Sequence, residues 1–268
     1  MTKTQFGVVE AAPSLPAKDL LRVPHKGGTL VVSYPAFGPS TYTDNLFAIG
    51  QRYFHSSQLL DISFRPATTA ESISIVAYGF FGDRGDRVDA KRNIFDPTRL
   101  QAGWLGKTSE GVWANPPKDE QGELITDEKR LRKCLNGVRP ITIGRGRLYI
   151  VPNKEIKGLR LRDFGFVDYG AFETGAQDCS TFAQGGLARL LEHARGKKPK
   201  NLRKIASHKD YERRVDVWDF NPVRKLAFRV ASLFSGDCGL VVRSDAGWQA
   251  GADGHAFGVL DTSAKGSS

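Results

Sequence analysis

A tail bounded by strands constrains this chain more than any other stretch. Residues 229–260 read RVASLFSGDCGLVVRSDAGWQAGADGHAFGVL. Ala227-Phe228-Arg229-Val230 leads into them and Ala256-Phe257-Gly258-Val259-Leu260 ends them, with the apolar and β-branched residues that a buried strand requires. Between these ends the fixed apolar points are Leu233, Leu240, Val242 and Trp248. The remainder is Gly, Ser, Asp, Ala, Cys, Arg and His, residue types that rarely drive a core. The pattern predicts side chains presented on a frame.

The same region has a compositional gap. Between Lys225 and Lys265 there is no Lys, Glu or Met, where the chain's own frequencies predict about four. Lys, Glu, Met, Gln and Trp are the residues that an AAC codon cannot reach through changes at its adenines. Only Trp248 and Gln249 break that rule within 229–260. Adenine-directed rewriting leaves such a pattern, and so does a Gly/Ser-rich loop region that lacks Lys and Glu.

At 268 residues the chain can bury a core without staples. Its formal charge of +10 permits contact with nucleic acid, an anionic surface or an acidic ligand. The densest basic cluster, Lys197, Lys198, Lys200, Arg203 and Lys204, reads as a solvated loop leading into a helix. Cys134, Cys179 and Cys238 are widely spaced with no CxxC, which argues against a disulfide scaffold and against zinc. No cofactor and no metal is expected. No apolar run reaches signal-peptide or membrane-spanning length, so the expectation is a cytoplasmic protein, with surface display left open.

Taken in order, the chain reads as a single α+β domain over 1–268, with an extended lead-in over 1–26 and a strand over 29–34. Thr43 is positioned to cap a helix over about 44–54. Thr68 and Glu71 form a capping box for a second helix, with Ile73, Ile75, Val76, Tyr78 and Phe80 toward the core. The middle, about 90–175, reads as a loop-rich insertion anchored by Leu100, Trp104, Val112 and Trp113 around glycines. It holds a short helix over 127–135 and strands over 141–143 and 148–151. The Gly144-Arg145-Gly146-Arg147 link is a hairpin turn, with phosphate contact as the alternative. A helix over 177–193 contains Gly185-Gly186, which weakens it or lets another backbone approach. A short helix over 201–207 and a strand over 215–218 follow.

Two stretches carry a family resemblance. Phe64-Arg65-Pro66 through Glu71 resembles the Arg-Leu-Pro-Thr-Glu-Ala-Glu-Trp helix start of the formylglycine-generating-enzyme branch of the C-type lectin fold. Gly254-x-Ala256-Phe257-Gly258-Val259 resembles that branch's terminal Gly-Phe-Arg strand. Trp248 with Leu240 and Val242 takes the place of its spaced core residues. The combination is similar to the variable proteins of diversity-generating retroelements, the archaeal ones in particular. This sequence lacks their Gly-Gly-Ser-Trp segment and has no Trp after Glu71.

The resemblance implies a C-type lectin-like fold of short strands and two main helices, and binding of a protein or other macromolecule rather than catalysis. The last strand would pair with an early one. The variable region would be 229–260, and its displayed positions Phe234, Gly236, Cys238, Gly239, Arg243, Ser244, Asp245, Gly247, Ala250, Ala252, Asp253 and His255. Trp248, Leu240, Val242 and Phe257 would belong to the frame.

A rival reading is enzymatic. Gln177-Asp178-Cys179-Ser180-Thr181-Phe182 resembles the nucleophile helix start of papain-like NlpC/P60 amidases, with His255 as the base, although the usual Gly after Cys-Ser is missing. A nucleic-acid binder is the third reading. It rests on charge alone, without interleaved aromatics or a recognition helix.

Overall fold

The computed structural model describes residues 20–34, 36–51, 53–56, 59–81, 100–195, 199–208, 211–236, 239–245 and 254–260. Strands β1 (Leu20–His25) and β2 (Gly28–Ser33) form a hairpin. Its turn residues Lys26 and Gly27 have φ of 47° and 83°, the sense of turn that matches strand twist. Strand β3 (Phe37–Ser40) leads into helix α1 (Tyr42–Gln51). The cap of α1 is Thr41, not the expected Thr43. Thr41 Oγ1 donates to Asp44 Oδ2 at 2.7 Å and accepts the Asp44 N–H at 3.2 Å. That reciprocal pair needs a carboxylate three residues on; Thr43 has Leu46 there.

Strands β4 (Tyr53–Ser56) and β5 (Leu59–Pro66) pair antiparallel and deliver the chain to α2 (Thr69–Phe81). Here the expected capping box is present: Glu71 Oε2 accepts the Thr68 N–H at 2.8 Å and Thr68 Oγ1 accepts the Glu71 N–H at 3.3 Å. Residues 69–77 of α2 are all buried, as a helix apolar nearly all round requires. Its polar residues each find a partner. Ser72 Oγ donates to the Ala102 carbonyl at 2.8 Å, and Ser74 Oγ bonds His25 Nδ1 at 2.9 Å and accepts from Asn201 Nδ2 at 3.1 Å.

The middle of the chain is strand-rich where loops were expected. It supplies β6 (Leu100–Lys107), β7 (Gly111–Ala114), α3 (Glu128–Lys133), β8 (Ile141–Ile143), β9 (Gly146–Ile150), β10 (Lys154–Ile156), β11 (Leu159–Leu161) and β12 (Gly165–Asp168). In β6 the glycines do not mark a loop. A Cβ on Gly103 would lie 2.9 Å from Thr69 Cγ2, so this glycine marks close approach of α2 to a strand rather than a loop. The link between β8 and β9 is a hairpin turn, with Ile143 opposite Gly146.

Next come β13 (Gly175–Asp178), α4 (Cys179–Gln184), α5 (Gly186–Leu191) and α6 (Asn201–Ala206). The single helix expected over 177–193 is therefore two. Gly185 turns extended between them, and Gly186 lies so close to β12 that a Cβ would stand 2.6 Å from Val167 Cγ2. The chain ends with β14 (Arg214–Trp218), β15 (Ala227–Gly236), β16 (Gly239–Asp245), β17 (Gly254–Ala256) and β18 (Gly258–Leu260).

These elements make a mixed α+β protein. Among the described residues the small sheet runs β1-β2-β18-β5-β4. The large one runs β13-β14-β16-β15-β6-β7-β12-β9-β8, with β17 joined to β6 and β3. The last strand is inserted between early ones, Val259 lying opposite both Val32 and Arg65. The main core lies between α2, α4, α5 and α6 and the inner face of the large sheet. A second core gathers Trp113, Phe164 and Phe166 with Leu131 of α3.

Candidate ligand-binding face

Period-two alternation divides the three strands β14, β16 and β15 into a core side and an outer side. In register, Val217 pairs with Val242 and Val242 with Leu233; all three are buried in the main core. One residue further along, Trp218 pairs with Arg243 and Arg243 with Ser232. One residue back, Asp216 pairs with Val241 and Val241 with Phe234. The outer side therefore brings together Asp216, Trp218, Arg243 and Phe234. Trp218 is 56 % exposed, one of two large hydrophobic side chains standing out in this way among the described residues.

Helix α1 covers the neighbouring part of this sheet but stops short of β14. Asn45 Nδ2 donates to Gln101 Oε1 at 2.8 Å and Tyr42 meets Trp104 edge-on, ring centroids 5.0 Å apart. These contacts seat α1 over β6. Beyond them Trp218 is exposed and Arg243 half-exposed.

Asp219 organises the rim. It holds a left-handed φ of 62°, which turns its carboxylate toward β16, where Oδ2 accepts from Arg243 Nε at 2.6 Å. Its carbonyl accepts from the buried ammonium of Lys107. Burial, and then the neighbouring Arg229, pull the Lys107 pKa below the usual lysine value. The arrangement is an exposed Trp218 and a half-buried Phe234 beside the buried outer-side residues Val241 and Ser232, edged by paired charges, and suited to contact with another surface. Aromatic and Arg side chains are the types that carry most binding energy at protein interfaces.

The predicted display residues divide. Phe234 and Arg243 lie on the outer side and are half-buried. Ser244 does not: it pairs with Ala231 on the core side and is 0 % exposed. Gly239 is also buried, at φ 157°, with its α-carbon so close to β14 that a Cβ would lie 2.5 Å from the Arg214 carbonyl oxygen. No side chain can be exchanged there. Gly236 sits opposite Gly239 at the end of the hairpin, and Asp245 ends β16 opposite Val230. His255 is half-buried on β17, opposite Leu100 of β6, away from Trp218. Cys238, Gly247, Ala250, Ala252, Asp253 and the frame residue Trp248 lie outside the described residues. The frame residues Leu240, Val242 and Phe257 are buried.

Trp218, Asp216 and Asp219 were not among the predicted site residues. Their signal was present. Val215-Asp216-Val217-Trp218 alternates perfectly, so recognising the strand already placed Asp216 and Trp218 together on its polar side.

Cys179 and His255 are not brought together. Strands β14, β16, β15 and β6 stand between β13, which leads into Cys179, and β17, which carries His255, at about 4.8 Å per strand. Cys179 is buried with its Sγ 3.4 Å from Ser207 Oγ. Its thiol is expected to react with a maleimide at least about tenfold more slowly in the native protein than in urea, as followed by mass spectrometry.

Among the described residues no group of His, Cys, Asp and Glu is arranged to hold a metal ion, and no helix is long and apolar enough to cross a membrane. Comparison with protein-family models, curated proteins and solved structures found no match to this chain.

Proposed function

We propose that this chain is a ligand-display protein: a C-type lectin-like frame of the formylglycine-generating-enzyme type, with an exchangeable binding face, as in the variable proteins of diversity-generating retroelements. The face is the outer side of β14, β16 and β15. The observation that carries the reading is the division within β16. Val242 is locked in the core while its neighbour Arg243 stands on the open side, so a residue can be replaced without disturbing the adjacent one. Support also comes from the closing strand β18 lying between β2 and β5, and from the Arg65–Glu71 pair at the start of α2. A site on rigid strands loses little ordering entropy on binding, so a changed side chain becomes a changed specificity.

The mixed charges of the face, with Asp216 and Asp219 beside Arg243, favour a protein ligand over nucleic acid. The genomic test is direct. A near-copy of the DNA encoding residues 232–256 is expected beside a reverse transcriptase gene, with differences concentrated at adenines. Its codons for Phe234 and Arg243 should differ from the expressed ones, and those for Leu240 and Val242 should not. A locus with no such copy and no reverse transcriptase removes the retroelement reading.

A further inference from the structure

We infer that His193 is a proton-operated latch on the β1–β2 turn: when its imidazole takes up a proton it replaces Lys26 as the partner of Asp163, and the turn is released. Four segments meet at this point, and each arrives in a left-handed conformation that side chains rarely adopt. Lys26, Asn115, Asp163 and His193 have φ of 47°, 48°, 49° and 50°. Asn115 Nδ2 donates to the Asp163 carbonyl at 2.9 Å, and Thr68 Oγ1 donates to Asp163 Oδ2 at 2.6 Å. The other carboxylate oxygen, Oδ1, takes the Lys26 ammonium. Three of the four are of the types that tolerate this region best, so the four turns fix their side chains around one buried carboxylate.

The tautomer of His193 follows from its surroundings. Nε2 is 2.7 Å from the Val151 carbonyl, which can only accept, so Nε2 carries the proton. Nδ1 is then a bare acceptor and receives the Lys26 ammonium at 3.2 Å. The charges of Lys26 and Asp163 cancel. A second proton on His193, at Nδ1, reverses this. Nδ1 becomes a donor facing an ammonium at 3.2 Å, and it competes with that ammonium for Asp163 Oδ1, also at 3.2 Å. Two cations then compete for one carboxylate in a site buried on the His193 and Asp163 side, where an uncompensated charge is costly.

Burial decides which cation leaves. The side chains of His193 and Asp163 are 6 % and 2 % exposed, that of Lys26 36 %. Lys26 has water to go to and sits on a turn. Among the described residues strand β1 pairs only with β2, at the edge of the small sheet; Val23 anchors its middle in the main core, so opening is expected at the hairpin tip, which Ser74 also holds through His25.

The other charges around the imidazole oppose the second proton. Lys26 faces it from the turn and Arg195 from beyond α5; Asp163, preceding β12, is the opposing charge in direct contact, while Glu192, next in the chain, acts on Lys26 and His25, on the turn itself, acts on both Lys26 and Asp163. Behind Asp163 the Arg65–Glu71 pair is internally neutral. Burial first, against the pull of Asp163, holds the His193 pKa below that of a free imidazole. Because the folded value is the lower one, the latched state is fully stable above about pH 6.5 and loses stability as pH falls toward the folded value.

The test is amide hydrogen exchange of residues 24–30 in the full chain at pH 7.5 and 5.0, corrected for intrinsic rates, alongside the ¹⁵N ring shifts of His193. The wild type is expected to open this segment at least about tenfold more at pH 5.0, with the same midpoint as Nδ1 protonation, while β6 and β15 stay protected. His193→Gln, neutral at both values, should abolish the pH response. Lys26→Met should abolish it as well, having no cation to expel. The inference is overturned if His193 does not titrate in this range, if it titrates without opening the turn, or if either variant opens with acid as the wild type does.

Discussion

Glu71→Ala is expected to destabilise the protein by about 3–5 kcal/mol. Glu71 is buried at the first turn of α2, and its two oxygens receive both terminal nitrogens of Arg65, at 2.7 and 2.6 Å. Oε2 also accepts the Thr68 N–H. Removing the carboxylate leaves a mostly buried guanidinium uncompensated and a helix-start N–H without its acceptor, and both effects have the same sign. Glu71→Gln keeps an acceptor for Thr68 and should lose less.

Burial raises the Glu71 pKa, but the Arg65 hydrogen bonds and charge outweigh it and leave the carboxyl below its usual value. With the folded value the lower one, this stabilisation is present above about pH 4.3 and is lost as pH falls through the folded value. Urea unfolding at pH 7 and pH 3 checks both statements. The variant and the wild type should differ most at pH 7 and less at pH 3.

Phe257→Ala should rank next. Phe257 lies between β17 and β18 and is 2 % exposed in the main core. Its carbonyl accepts the Ala67 N–H at 2.9 Å, so the residue joins the end of the chain to the start of α2 by backbone as well as by side chain. Truncating the ring removes a large buried surface and leaves a cavity in a place held by pairing on both sides, where collapse is difficult. A loss of about 3–5 kcal/mol follows, or roughly a 10 °C fall in Tm. Calorimetry of the purified variant measures it.

The features that are legible in the sequence are the local ones. The capping box at Thr68 and Glu71 was readable because both partners lie within one turn. The closing strand was readable from its β-branched and aromatic residues. What failed depended on neighbours distant in sequence. Glycines in β6 resembled loop punctuation, yet Gly103 is there because α2 presses against the strand. Ser244 resembled a displayed polar residue, yet a two-residue period counted from Val242 puts it on the core side. The rim at Asp219 required a strand from outside the tail, β14, which pairs with β16 in parallel. The junction at His193 joins residues far apart in the chain and has no local pattern at all.

The central claim is that the outer side of β14, β16 and β15 can be exchanged while its core side cannot. Two libraries measured by protease resistance test it, one randomised at Trp218, Phe234 and Arg243, the other at Val217, Leu233 and Val242. The account predicts that most members of the first stay within about 1 kcal/mol of the parent, while most of the second lose more than about 2 kcal/mol. Equal losses in the two libraries would contradict it.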